Sequence, residues 1–226
     1  MKSKNGNPIV ITIDGPAASG KSTVSRILAD RHGWAWVSTG AFYRGLAYVA
    51  IAKQVPLDNE DQLATLCHSQ DWEVRLSKDR TEVFMDNENI TERIHTDQVG
   101  QAASAVSKFP LVRAHLLQAQ RDCAERVSGL IAEGRDCGTV IFPDAQVKVF
   151  LTANAEDRAL RRSIEKGGDV QDLVKSQTAR DQQDSNRKAA PLKIPENGLV
   201  VDSSGMSIMD VVEHLDQIIR KMLALQ

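Results

Sequence analysis

The chain has 226 residues, of which 42% are hydrophobic and 26% charged, with a formal net charge of −2. Such a balance is ordinary for a soluble globular protein, and the length suits one α/β domain or a core carrying a small insert. The slight acidity excludes the end-to-end basic excess of a nucleic-acid or membrane-surface binder.

Residues 1–8 read as a polar tail with no apolar segment of the leader type behind it. IVITID (9–14) is an apolar run rich in β-branched residues, which predicts a strand buried on both faces. GPAASGKST (15–23) follows, matching G-x-x-x-x-G-K-[ST], and a helix from about Ser22 to His32, ended by Gly33, comes next. In this phosphate loop (P-loop) Gly15 and Gly20 allow backbone conformations that side chains block, and the loop amides and helix N-terminus cradle phosphate oxygens. The stretch Gly15-Pro16-Ala17-Ala18-Ser19-Gly20-Lys21-Ser22-Thr23 is therefore the expected nucleoside triphosphate site. Lys21 is expected to reach the β- and γ-phosphates and Ser22 to ligate Mg2+. The loop specifies phosphate, not chemistry, and the absence of an N-K-x-D signature weighs against a GTPase.

WAWVS (34–38) predicts a second strand and residues 40–53 a helix. WEVRL (72–76) and TEVFMD (81–86) alternate apolar and polar, a two-stranded antiparallel hairpin inside an insert of about 57–98. A helical stretch covers 97–127, with Pro110 opening its second helix. GLIAE (129–133), VKVFLTA (147–153) and LVVD (199–202) predict three more buried strands, and helices fill 155–166, 170–188 and 207–224. Buried strands alternating with helices imply a doubly wound, five-stranded parallel sheet, whose ligands gather at strand C-termini. Cys67, Cys123 and Cys137 form no close pair, so neither a disulfide framework nor a zinc site is indicated, and the expected compartment is a reducing cytoplasm. No run reaches the roughly 18 apolar residues of a membrane span.

A second ligand must be read from the other strand ends. In STGAFYRG (38–45), Tyr43 is either a core aromatic or a platform, and Arg44 either a solvated side chain or an anion fork. In RDQQDSNR (180–187), Arg180, Asp184 and Arg187 share one helical face, as a surface ion-pair ladder or as ligand contacts. In DRALRR (157–162), Arg158, Arg161 and Arg162 suggest a phosphate-facing lid, with an Asp157–Arg161–Glu165 series as the alternative. Glu133 ends its strand either as a water-mediated Mg2+ partner or as a surface carboxylate. In AEGRDCGT (132–139), Arg135 and Asp136 read either as a local ion pair or as a ligand clamp.

The ordered set ITIDGPAASGKST, STGAFYR, AASAVSKFPLVR (102–113), GRDCGTVIFPDA (134–145), RDQQDSNR with APL, and VDSS (201–204) resembles the bacterial-type cytidylate kinases over nearly the whole chain. The resemblance implies a nucleoside-monophosphate-kinase fold with a core (9–56, 99–153, 190–226), a monophosphate-binding insert (57–98) and a lid (154–189). It implies transfer of the γ-phosphoryl group of ATP to CMP or dCMP by a cytoplasmic monomer. By position, Arg44 and Arg135 would hold the acceptor phosphate, with Thr39 and Tyr43 beside them. Ser104, Arg113, Asp136 and Arg187 would surround the cytosine, Arg180 and Asp184 would meet the sugar, and Arg158 and Arg162 would act from the lid with Lys21. Ser38 stands where the family has an acidic residue, and Cys137 where it has a large apolar one. The alternatives are another small P-loop kinase, acting on a different monophosphate or a hydroxyl metabolite, and a nucleotide-dependent binding module.

Overall fold

The computed structural model describes residues 8–77 and 80–224. All of the expected polar tail except Pro8, and the centre of the turn after residue 77, lie outside them. In chain order the elements are β1 (Ile9–Asp14), α1 (Lys21–His32), β2 (Ala35–Ser38), α2 (Gly40–Ala52), α3 (Glu60–Cys67), β3 (Trp72–Leu76), β4 (Thr81–Met85) and β5 (Glu88–Asn89). They continue as α4 (Asp97–Val106), α5 (Pro110–Glu125), β6 (Gly129–Gly134), β7 (Val147–Thr152), α6 (Ala155–Lys166), α7 (Val170–Ser185), β8 (Leu199–Asp202) and α8 (Ile208–Leu223).

The main sheet has the order β2-β6-β1-β7-β8 with every neighbouring pair parallel. β1 lies at its centre, as its unbroken apolar run predicts, and is buried throughout. Ile11 and Ile13 face a layer made with α1 and α8 (Val24, Leu28, Leu215), while Val10 faces the opposite layer with α2 and α5 (Leu46, Leu116). The register aligns Asp14 with Gly134 and Ser38 with Glu133, so the C-termini of β1, β2 and β6 end together along one edge. That edge adjoins the point where chain order reverses around β1, the usual crevice of open α/β sheets.

Two expectations are corrected. β8 is an edge strand rather than a buried one: Val201 is buried, but Leu199 and Val200 are 37% and 53% exposed, since β8 pairs only with β7. The insert is also richer than a hairpin. β5 adds a third strand, and the short helix α3 begins where the Asn59 side chain accepts from Gln62 N–H. Its apolar face is continuous with the core, because Trp72, Val83, Ile90 and Ile94 pack in one cluster with Phe42 and Leu46. Gly45 makes this possible: a Cβ there would stand 2.9 Å from both the Trp72 ring and Val83. Among the described residues no helix is long and apolar enough to cross a membrane.

Candidate active site

The P-loop turns directly off β1. Gly15 is obligatory there, since a Cβ would lie 2.0 Å from the Leu151 carbonyl oxygen. Ala18 and Gly20 take positive φ, 58° and 91°, which curls the loop around its own axis. α1 starts at Gly20 without a side-chain cap or an acidic residue in its first turn, which leaves the positive end of the helix open to an anion. Pro16 has no N–H and contributes its carbonyl, which accepts from Lys21 Nζ at 2.6 Å; Ser19 Oγ accepts from it at 3.3 Å. Burial, helped by the neighbouring Arg135, lowers the Lys21 ammonium to about 7. Ser22 Oγ donates to Glu133 Oε1 at 3.0 Å, and Glu133 is 4% exposed, so it is not a surface carboxylate. A hydroxyl and a carboxylate paired beside the phosphate loop are the hard oxygen donors that Mg2+ accepts, so these residues fit the ion.

At the end of β6 the adjacent charges of AEGRDCGT part company. Arg135 Nε donates to Asp184 Oδ2 at 2.7 Å and Nη1 to the Gly15 carbonyl at 3.0 Å. Asp136 pairs instead with Arg113 on α5. The stretch is therefore not a local ion pair. Beyond it the chain makes one π turn, Cys137–Ile141, held at both ends. The buried Asp14 carboxylate accepts from Cys137 N–H (2.8 Å) and Gly138 N–H (2.7 Å), while Arg121 donates to the Val140 and Ile141 carbonyls, both at 2.9 Å. Burial raises Asp14 to about 6 against the pull of those two amides. The sequence reading missed Asp14 and Arg121 as pins. The signal for Asp14 was present, an acid closing a β-branched, mostly apolar strand, but its partners are more than 120 residues away.

Four guanidiniums converge in front of these strand ends. Arg44, on α2, donates to the Ile94 carbonyl at 2.8 Å; its ionisation is lowered by burial and by Arg162 and Arg135. Arg180 is lowered to about 10 by burial and by Arg135, Arg44 and Arg162, against the opposing pull of Asp184, and its Nε is buried without a hydrogen-bond partner among the described residues. Arg162 reaches Asp97 at 3.0 Å, joining α6 to the start of α4. Arg158 pairs with Asp181 at 2.5 Å, whereas Arg161 ties Ser203 to the P-loop, donating to the Ser203 carbonyl at 2.6 Å and hydroxyl at 3.0 Å and to the Ser19 carbonyl at 3.4 Å. Two of the three arginines of α6 thus reach P-loop carbonyls, Arg158 at Ala17 and Arg161 at Ser19, while Arg162 leaves toward α4. The Asp157–Arg161–Glu165 series is absent, because Asp157 accepts from Gly205 N–H at 2.8 Å and Glu165 meets Arg162. The surface-ladder reading of α7 fails for the same kind of reason: Asp184 is 5% exposed and committed to Arg135, with Arg187 at 3.8 Å.

Beside this cationic edge lies a cleft of about 260 Å³ lined by Tyr43, Arg113, Leu117, Asp136, Val140 and Ala190. Tyr43 is half-buried, with the Arg113 guanidinium 5.4 Å from its ring centroid, so it serves both core and cleft. Burial pushes Asp136 above the usual carboxylate range while Arg113 and Arg187 pull it back. Ser104 Oγ and Arg187 Nη2 are buried without hydrogen-bond partners among the described residues, and Arg187 Nη1 donates to Ser107 Oγ at 3.4 Å. Thr39 differs from the others: its hydroxyl is buried and spent on the Glu133 carbonyl at 3.0 Å. His32 pairs with Asp216 and His68 with His115, both away from the cleft.

A family model described as cytidylate kinase matches residues 11–221. A cytidylate kinase of Bdellovibrio bacteriovorus is 53% identical over 212 residues, covering 94% of this chain and 98% of its own. One from Colwellia psychrerythraea is 47% identical over 213 residues, covering 91% and 93%. Among solved structures, an uncharacterized protein from Eubacterium ventriosum superposes with a TM-score of 0.52 at 13% identity, covering 94% of this chain and 98% of its own, a likeness of fold alone. The match runs from β1 into α8 and takes in every segment that lines the cleft; the chain belongs to the cytidylate kinase family.

Proposed function

We propose that this protein transfers the γ-phosphoryl group of ATP to CMP or dCMP, yielding ADP with CDP or dCDP. The observation that carries this reading is the gathering of Arg44, Arg135, Arg162 and Arg180 with Lys21 at one sheet edge, beside the buried acceptor Asp136. Like charges held together in a buried site oppose one another's ionisation, and a pair of phosphorylated nucleotides is the ligand that reverses this cost.

In this reading the loop Gly15–Thr23 holds the ATP phosphates, and Ser22 with Glu133 holds Mg2+, which when bound offsets phosphate charge. Arg44 and Arg135 hold the acceptor phosphate, Arg180 and Asp184 face the sugar, and Arg158 and Arg162 act from the lid. The insert (57–98) and lid (154–189) close on the core and exclude water that would otherwise take the phosphoryl group. The attacking oxygen belongs to an ionised phosphate, so no general base is required, which accords with the placement of the histidines paired above. Catalysis then rests on alignment and charge stabilisation.

Asp136 supplies the base preference. Cytosine offers an amino donor to a carboxylate, while uracil sets an oxygen there, acceptor against acceptor. A buried site built for a hydrogen bond penalises the ligand that lacks it. The unpaired cysteines fit a reducing cytoplasm, and the monomeric state rests on the family resemblance.

The test is an ADP-release assay with CMP, dCMP, UMP, AMP, GMP and shikimate as acceptors. CMP and dCMP are expected to be the fastest. Equal rates with CMP and AMP would overturn the assignment, and ATP hydrolysis indifferent to acceptor, with no CMP binding, would favour a nucleotide-dependent binding module.

A further inference from the structure

Asp181 has no part in the scheme above, yet it stands at the junction of three segments. Its Oδ1 accepts from the Ala17 N–H of the P-loop at 3.2 Å, and its Oδ2 takes Arg158 Nη1 at 2.5 Å. The same Nη1 donates to the Ala17 carbonyl at 3.1 Å, and Arg158 Nε donates to the Ala153 carbonyl at 3.1 Å. One carboxylate and one guanidinium therefore close a ring over both polar groups of a single P-loop residue. One turn earlier on α7, Gln177 Nε2 donates to the Arg158 carbonyl at 3.3 Å, bracing the arginine from the same face.

The next turn of α7 makes this more than a local pair. Asp184, three residues on and so on the same side of the helix, holds Arg135, which also reaches the Gly15 carbonyl. One rigid helix thus grips the P-loop region twice: through Asp181 at Ala17 on the donor side, and through Asp184 and Arg135 at the acceptor side. We infer that Asp181 is a positioning residue whose carboxylate couples the placement of the lid arginine Arg158 to the P-loop peptide at Ala17. Asp181, the charged partner among the acceptors of Arg158, helps set its aim alongside the Ala17 and Ala153 carbonyls, and a guanidinium displaced by an ångström no longer meets the charge that develops during transfer. The inference rests on the proposed function for its kinetic consequence, but not for the coupling itself.

The experiment combines kinetics with amide hydrogen exchange on the full-length protein. Asp181→Ala removes both contacts; Asp181→Asn, of equal size, keeps an acceptor for Ala17 but sets an amino group against Arg158; Asp181→Glu keeps the charge. In Asp181→Ala, kcat is expected to fall about 10- to 100-fold with KM for CMP within about two-fold of wild type, the split expected when an interaction made in the transition state is lost. Exchange of the 15–19 segment in nucleotide-free protein should rise together with that of α7. Asp181→Asn should share the loss of kcat while keeping the P-loop protected, and Asp181→Glu should recover part of the rate. The inference is overturned by an Asp181→Ala enzyme with wild-type kcat, by unchanged exchange of 15–19, or by a fall in kcat that tracks equal losses in Tm and CMP affinity. Should Asp181→Ala fail to fold, Asp181→Asn decides on the same criteria for kcat, Tm and CMP affinity. Should wild type fail to phosphorylate CMP, the functional reading falls and the exchange data alone decide the coupling.

Discussion

The phosphate loop and the cleft proposed for the acceptor meet at the same strand ends but are made of different material. The first is one unbroken stretch, Gly15–Thr23, whose shape comes from backbone torsions and whose expected donors are peptide groups. The second draws side chains from α2, α4, α5, α7 and the segment after β6, and these arrive already neutralised in pairs, Asp136 with Arg113 and Asp184 with Arg135. A backbone cradle is held by local geometry and tolerates exchange of most of its side chains. A side-chain cleft is held by partners, so each buried charge depends on the one opposite, and removing one strands the other. Phosphate is common to every ligand of such a loop, whereas the base is what must be told apart, and only side chains carry that information.

The contrast can be broken most severely at Lys21, a charged side chain on the backbone-built half. Lys21→Ala is expected to lower kcat by about a thousand-fold, the upper range for loss of one donor to transition-state charge. Its Tm should be no lower than wild type, because the buried ammonium is itself a cost to the fold. A Tm loss larger than the activity loss would contradict this division of labour.

Asp136→Asn attacks the other half. It is expected to reduce kcat/KM for CMP by about a hundred-fold, or ~2.7 kcal/mol, and to narrow the gap to UMP, with KM for ATP within about two-fold. A matching loss toward ATP would show that the halves are not separable.

The smallest effect sharpens the comparison through protons. Lys21 falls from 10.5 to about 7 in the folded chain, so between these values the unfolded chain binds more protons. Stability from this group therefore rises with pH across that window, and the cost of burying the charge is fully present below about 7. Bound phosphate restores the ammonium, so ATP binding near pH 8 should take up part of one proton, at most about one. Calorimetry in buffers of different ionisation enthalpy measures it, and equal uptake by Lys21→Met would assign the proton elsewhere.

The parallel strands, the helices around them and the P-loop were legible because each is written in contiguous residues: β-branched runs, helical periodicity, and glycines at the turns. α3, β5 and the π turn were not. They are short, and their stability comes from docking, as when Trp72 Nε1 donates to the Leu66 carbonyl at 2.9 Å to tie the hairpin to α3. The incorrect expectation that β8 is buried had the same origin, since its apolar run is that of a central strand and only the strand order makes it an edge.

By itself, then, the sequence determined that a phosphate loop follows a buried strand and that charged motifs sit at the other strand ends. Which charges pair was decided by the tertiary structure. Arg135 and Asp136 are neighbours in the chain, but they lie in the bend just after β6, which turns their side chains to different elements. One therefore meets α7 and the other α5. The different bearings of Arg158, Arg161 and Arg162 around α6 follow from rotation along a helix, and what each then touches depends on segments that only folding brings near. Ion pairs are short-ranged and their partners lie 23 and 49 residues away in the chain for Asp136–Arg113 and Arg135–Asp184, a separation that no local pattern encodes.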